Sequence, residues 1–134
     1  SAMRREVWRE IPYPEIDYGE DQVWARDIIE AGYSKIYAPT ATVYHSHDFG
    51  PAETYARSKT EGAFFYEFFG YELGEGSEEE IASRIAREQH NMEIRARDRK
   101  ISDEEIARRK ANIAEKYAGW RDGWMGFSYN RALT

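Results

Sequence analysis

The sequence predicts a helix-dominated α+β fold in which a short two-stranded element lies between helices. Alternating β-branched and aromatic residues on either side of Pro39 predict the two strands, at residues 34–38 and 42–45. Capping boxes that begin at Ser77 and Ser102 predict two long helices, which we expect to form a C-terminal hairpin. The chain is 41% hydrophobic and 15% aromatic, which is sufficient for a folded core.

Three further elements are predicted in the first half of the chain. Residues 4–9 have the pattern of either a helical turn or a short strand, and Pro12 ends that element. A helix is predicted to begin at Glu20, because acidic residues favour a helix N-terminus, and to end at Gly32. Pro51 predicts the start of another helix, which is rich in phenylalanine.

The two halves of the chain differ in charge and in aromatic content. Residues 1–70 contain 7 basic and 12 acidic side chains and 14 of the 20 aromatic residues. Residues 71–134 are close to neutral, and i,i+4 pairs of opposite charge indicate long helices there. We therefore expect residues 1–70 to contain the functional site and residues 71–134 to form a helical extension.

Composition excludes several classes of function. The net charge of −6 argues against a general nucleic-acid-binding protein, which would need a basic face. The absence of cysteine excludes disulfides, thiolate zinc sites and thiol nucleophiles. No apolar run approaches the ~18 residues of a membrane-spanning helix, and the first residues do not form a signal peptide. These features predict a cytoplasmic protein, either free or peripherally associated with a membrane.

Two adjacent carboxylates, Glu20 and Asp21, lie at the predicted start of a helix. Acidic residues at this position are often simple helix caps. A carboxylate fixed there is also held in its ionised form by the helix dipole, and in a cleft it can act as a general base. The local sequence leaves both interpretations open.

Two of the three histidines, His45 and His47, are separated by one residue after a predicted strand. On a strand both side chains would point to the same face, at a spacing that can chelate a divalent metal ion. A metallo-hydrolase built on this pair would need further histidines, and His90 lies in a charged helix. A single metal ligand, or two structural histidines, are the alternatives.

Aromatic residues are frequent near these polar groups. Their faces suit stacking against sugars or bases, but a small core uses the same residues, so both roles stay open. The set consists of Trp8, Tyr13, Tyr18, Trp24, Tyr33, Tyr37 and Tyr44.

Taken in order, these residues resemble the inverting nucleotide-sugar glycosyltransferases of family 2, especially their rhamnosyltransferase-like bacterial members. The resemblance rests on Glu20-Asp21 before Trp24-Ala25, then Gly32-Tyr33, Tyr37-Ala38-Pro39 and Val43-Tyr44-His45-Ser46-His47. It covers roughly residues 1–70 and implies the C-terminal, acceptor-side portion of a GT-A type α/β catalytic domain. The family's Asp-x-Asp motif does not occur in this sequence.

The resemblance also implies roles for particular residues. Asp21 corresponds to the catalytic base, with Glu20 in support. His45, and secondarily His47, would help to hold a divalent metal ion, Mg²⁺ or Mn²⁺. Trp24 and Arg57 would contact the substrates, a nucleotide-sugar donor and a saccharide acceptor of surface polysaccharide synthesis.

We expect this chain alone to be inactive as a transferase, because the donor-binding half of the family pattern is missing from it. The alternative function is a non-catalytic helical module for association. In that case Trp120 and Trp124, which share one predicted helix stripe, would drive formation of a homo-oligomer or docking on another protein.

Overall fold

The computed structural model describes residues 2–43 and 47–132. The regular secondary structure of these residues is α-helical. In chain order the helices are α1 (Arg5–Glu10), α2 (Glu20–Glu30), α3 (Pro51–Phe69), α4 (Glu78–Asp98) and α5 (Asp103–Ala132).

The prediction of an α+β fold with a two-stranded element is wrong. Residues 34–38 and 41–43 form no strand, and their apolar side chains lie in solvent: Ile36 and Tyr37 are each 87% exposed and Val43 is 86% exposed. Strand propensity reflects packing on a half-buried pleated surface beside a partner strand. No such surface covers these residues within the described part of the chain. Residues 44–46, where the second strand was predicted to end, lie outside the described residues.

The predicted helix boundaries are largely confirmed. Helix α2 begins at Glu20, and the chain leaves it through Gly32, whose φ of +90° is in the region that favours glycine. Helix α3 begins at Pro51. Ser77 forms the predicted capping box, in which its hydroxyl accepts a hydrogen bond from the Glu80 amide and its own amide donates to the Glu80 carboxylate. These boundaries depend on local chemistry, which the sequence contains.

The chain divides into two compact units, Ser1–His47 and Asp48–Thr134. In the first unit, α1 and α2 share a small core made of Val7, Trp24 and Ile28, against which Ile11, Tyr13 and Tyr33 pack. The division at residue 70 in the sequence analysis was based on the resemblance to a family, whereas the division at residue 47 is based on contacts within the chain. The functional role of residues 1–70 therefore stays a prediction.

The second unit is built around α5. Helix α3 runs in the same direction as α5, because residue numbers rise together along their contacts. The Phe49 carbonyl, just before α3, accepts a hydrogen bond from Asn112, Tyr55 pairs with Asp122, and the rings of Tyr66 and Phe127 are in contact. Three glycines allow the two backbones to come close, because a side chain at any of them would collide with the facing helix: Gly62, Gly119 and Gly123.

Helices α4 and α5 form the predicted hairpin, and α5 has 30 residues. Its antiparallel sense is clear from ion pairs that join Glu88 to Lys116 and Glu93 to Lys110. Apolar residues of the two helices are buried: Ile81, Ala96, Ile106 and Ile113. Among the described residues, none of the helices is apolar over a stretch long enough to cross a bilayer.

Candidate functional site

The predicted catalytic carboxylates lie at the first turn of α2. Gly19 precedes the helix in a left-handed conformation with φ of 72°, and its carbonyl accepts hydrogen bonds from the amides of Gln22 and Val23. The side chains of Glu20 and Asp21 that follow are both exposed. Within the described residues, neither carboxylate has a hydrogen bond or an ion pair.

Trp24 is a core residue of the first unit. Its side chain is 8% exposed, its indole N–H donates to the Ile11 carbonyl over 2.6 Å, and its ring lies 5.1 Å from that of Tyr13. These contacts hold the loop that follows α1 against α2. The predicted substrate-binding role of Trp24 stays a prediction, and the contacts described here are structural ones.

A second hydrogen bond joins α1 to the other end of α2. The Tyr33 hydroxyl donates to the Glu10 carboxylate over 2.6 Å, which joins the residue after Gly32 to the end of α1. This hydrogen bond, together with partial desolvation, raises the pKa of the Tyr33 hydroxyl. Helix α2, which begins with Glu20 and Asp21, is therefore held against α1 and the loop after it by hydrogen bonds near both of its ends.

The predicted metal ligands are only partly described. His45 lies outside the described residues, and His47 is exposed. Among the described residues no group of three histidine, aspartate or glutamate side chains is close enough to hold a metal ion. Because that search does not include His45, the Mg²⁺ or Mn²⁺ site stays a prediction.

Arg57 lies on α3, in the second unit. Its side chain is exposed, and its guanidinium carbon lies 5.6 Å from the centre of the Phe49 ring, within the range of a cation–π interaction. Such stacking orients the guanidinium group. The proposed contact of Arg57 with donor phosphates stays a prediction.

One groove that was not predicted from the sequence lies between α4 and α5, with a volume of about 560 Å³. We call it the α4–α5 groove. Its walls combine apolar side chains with guanidinium groups, chiefly Met92, Arg95, Arg99, Ile101, Arg109 and Ile113. The i,i+4 spacing of Arg95 and Arg99 was a signal for this groove, because residues at that spacing share one face of a helix.

Comparison with known proteins gives one curated relative for half of the chain. Over 66 residues, which are 48% of this chain, it is 38% identical to the O-antigen chain rhamnosyltransferase RfbN of Salmonella typhimurium. The match spans 21% of that protein's length. No protein-family profile and no solved structure matches the chain. The similarity supports a relationship to glycosyltransferases at a coarse level.

Proposed function

We propose that this chain is part of an inverting glycosyltransferase, which transfers a sugar from a nucleotide-sugar donor to a saccharide hydroxyl during surface polysaccharide synthesis. The observation that carries the proposal is the similarity to a rhamnosyltransferase, together with the exposed carboxylate pair at the start of α2. By analogy with that relative, rhamnose is the sugar to test first.

Asp21 is the proposed general base. In an inverting displacement the acceptor oxygen attacks the anomeric carbon while the base removes its proton, and the nucleoside diphosphate leaves from the opposite face. Asp21 lies in the first turn of α2, where the helix dipole attracts negative charge. Its exposure leaves room for a bulky saccharide.

The other assigned residues have supporting roles in this proposal. Glu20 would accept a hydrogen bond from the acceptor, and Arg57 would offset charge on the donor phosphates. A divalent metal ion, held in part by His45 or His47, would stabilise the negative charge that grows on the leaving diphosphate.

The proposal is tested with the natural full-length polypeptide in which these residues occur. Transfer of radiolabelled rhamnose from its nucleotide-activated form to a saccharide acceptor is measured with Mg²⁺ or Mn²⁺ present. We expect Asp21→Asn to lower kcat by about 10²- to 10⁴-fold, the usual contribution of a general base, with little change in KM.

Glu30→Gln is the matched control, because Glu30 is an exposed carboxylate at the opposite end of the same helix. It should leave kcat unchanged. An Asp21→Asn enzyme as active as the control would overturn the assignment of the base. Absence of transfer by the unmodified polypeptide with every nucleotide sugar tried would overturn the proposed reaction class.

A further inference from the structure

The α4–α5 groove has the size and the mixed lining of a small-molecule site. Its volume of about 560 Å³ falls in the range of roughly 300–1,000 Å³ that is typical of ligand pockets. Apolar side chains, Met92, Ile101 and Ile113, provide surface for an uncharged body. Guanidinium groups lie in the same lining, so the groove offers both apolar and cationic contacts.

Two of the four charged side chains that line the groove are compensated by ion pairs. Glu88, the acidic residue of the lining, pairs with Lys116 over 2.5 Å. Arg109 pairs with Glu105 over 2.6 Å. The positive charges of Arg95 and Arg99 remain, since in the described part of the chain neither guanidinium has a carboxylate oxygen within 4.0 Å.

The position of Arg95 and Arg99 at the end of α4 stabilises their positive charges without a carboxylate partner in the described residues. They belong to the last turn of α4 and its end, where the helix dipole is negative and favours cations without neutralising them. The next residue, Lys100, has a φ of 56°, a conformation that is uncommon for a residue other than glycine. This turn brings Arg99 and Ile101 into the same groove.

We propose that the α4–α5 groove binds a soluble organic phosphate, with Arg95 and Arg99 on the phosphate oxygens and the apolar wall against the organic body. Two guanidinium groups one helical turn apart present paired N–H donors, which match the oxygens of a phosphate group. A soluble ligand fits better than a lipid headgroup at an anionic membrane, because the chain has a net charge of −6 and would be repelled. This proposal is independent of the proposed glycosyltransferase activity.

The test is an NMR titration of this chain with phenyl phosphate and, separately, with inorganic phosphate. We expect saturable shifts of the methyl signals of Met92, Ile101 and Ile113, at lower concentrations of phenyl phosphate than of inorganic phosphate. The double variant Arg95→Gln/Arg99→Gln should weaken the binding of phenyl phosphate by at least about tenfold. Arg87→Gln is the control, since Arg87 is an exposed arginine of α4 outside the groove lining.

Co-sedimentation with phosphatidic acid vesicles distinguishes binding of a soluble organic phosphate from binding of a lipid headgroup. Binding to vesicles without binding of phenyl phosphate would overturn the assignment of a soluble ligand. Equal weakening by the double variant and by Arg87→Gln would show non-specific attraction and overturn the site. Absence of methyl shifts at millimolar phenyl phosphate would overturn it as well. Circular dichroism of each variant confirms that the helices are retained.

Discussion

The α-carbon of Gly62 on α3 lies directly against the backbone of Trp120 on α5. A Cβ atom built on Gly62 would lie 2.2 Å from the Trp120 carbonyl oxygen, far inside van der Waals contact. Gly119 and Gly123 make the reciprocal approach from α5 to the backbone of α3. The second unit therefore depends on backbone-to-backbone packing of two helices, which a methyl group is enough to disrupt.

We predict that Gly62→Ala lowers the free energy of unfolding by about 1–3 kcal/mol, measured by urea denaturation. The helix propensity of alanine would by itself raise stability by about 1 kcal/mol, so a loss indicates steric conflict. Gly126→Ala is the control, because Gly126 belongs to α5 and a Cβ there meets no atom within 4 Å. The control should be as stable as the unmodified chain or more so, and equal effects of the two changes would contradict the packing described here.

Trp24→Phe is predicted to loosen the first unit selectively. The change removes the indole N–H that donates to the Ile11 carbonyl over 2.6 Å and leaves a partly buried carbonyl without that donor, at a cost of about 1 kcal/mol. Hydrogen exchange should show faster exchange of α2 amides with little change in α5. Trp8→Phe is the control, because Trp8 is 43% exposed. Unchanged exchange in α2 would favour a substrate-contacting role for Trp24 over the structural one.

Trp120→Ala should lower stability rather than change the oligomeric state. The indole N–H of Trp120 donates to the Glu61 carboxylate over 2.6 Å, and its ring lies 5.3 Å from that of Tyr117. These contacts lie within one chain, so truncation should cost on the order of 3 kcal/mol of unfolding free energy. Light scattering should give the same mass for the variant and the unmodified chain. A fall in mass would support the alternative function of an association module.

Lys100→Gly is expected to stabilise the hairpin of α4 and α5. Lys100 has a φ of 56°, which glycine adopts at no steric cost, whereas other L-residues lose about 1–2 kcal/mol there. We expect a gain in unfolding free energy of up to about 1 kcal/mol, since glycine also increases the entropy of the unfolded chain. Asp98→Gly, one position inside the end of the helix, is the control and should destabilise.

Helix boundaries were predictable because they depend on residues close in sequence. Ser77 makes its capping box with a residue three positions away, and Pro51 begins a helix by its own fixed φ. The absence of the predicted strands near Ile36 and Val43 could not be read from the sequence, because a strand forms only beside a partner and these side chains have none in the described residues.

The features of the candidate sites that depend on local sequence were likewise predictable, and those that depend on contacts between helices were not. Asp21 was correctly placed at a helix start, since the acidic residues after Gly19 carry that signal locally. The α4–α5 groove was missed, although the positions of Arg95 and Arg99 were visible. Whether a charge is compensated depends on partners on another helix, such as Lys116 for Glu88, and sequence spacing along one helix does not reveal them.

Two carboxylates in the hairpin are held ionised by bridging cations. Hydrogen bonds from Lys110 and then Arg97 lower the pKa of Glu93 from 4.5 to about 2. Hydrogen bonds from Arg108 and then Arg109 lower the pKa of Glu105 from 4.5 to about 2 as well. Because each pKa is lower in the folded chain than in the unfolded chain, the stabilisation is complete above the unfolded value and disappears as the carboxylates are protonated.

We therefore predict that the contribution of Glu93 and Glu105 to stability is lost as the pH falls from about 4.5 to about 2. Tm is measured from pH 7 to pH 2 for the unmodified chain and for Glu93→Gln/Glu105→Gln. The difference in Tm between the two should be constant above about pH 5 and shrink toward zero near pH 2. Glu104→Gln is the control, because it removes an exposed carboxylate of α5 that has no ion pair within the described residues. A difference in Tm that stays the same down to pH 2 would show that the two carboxylates act through packing rather than through their charge.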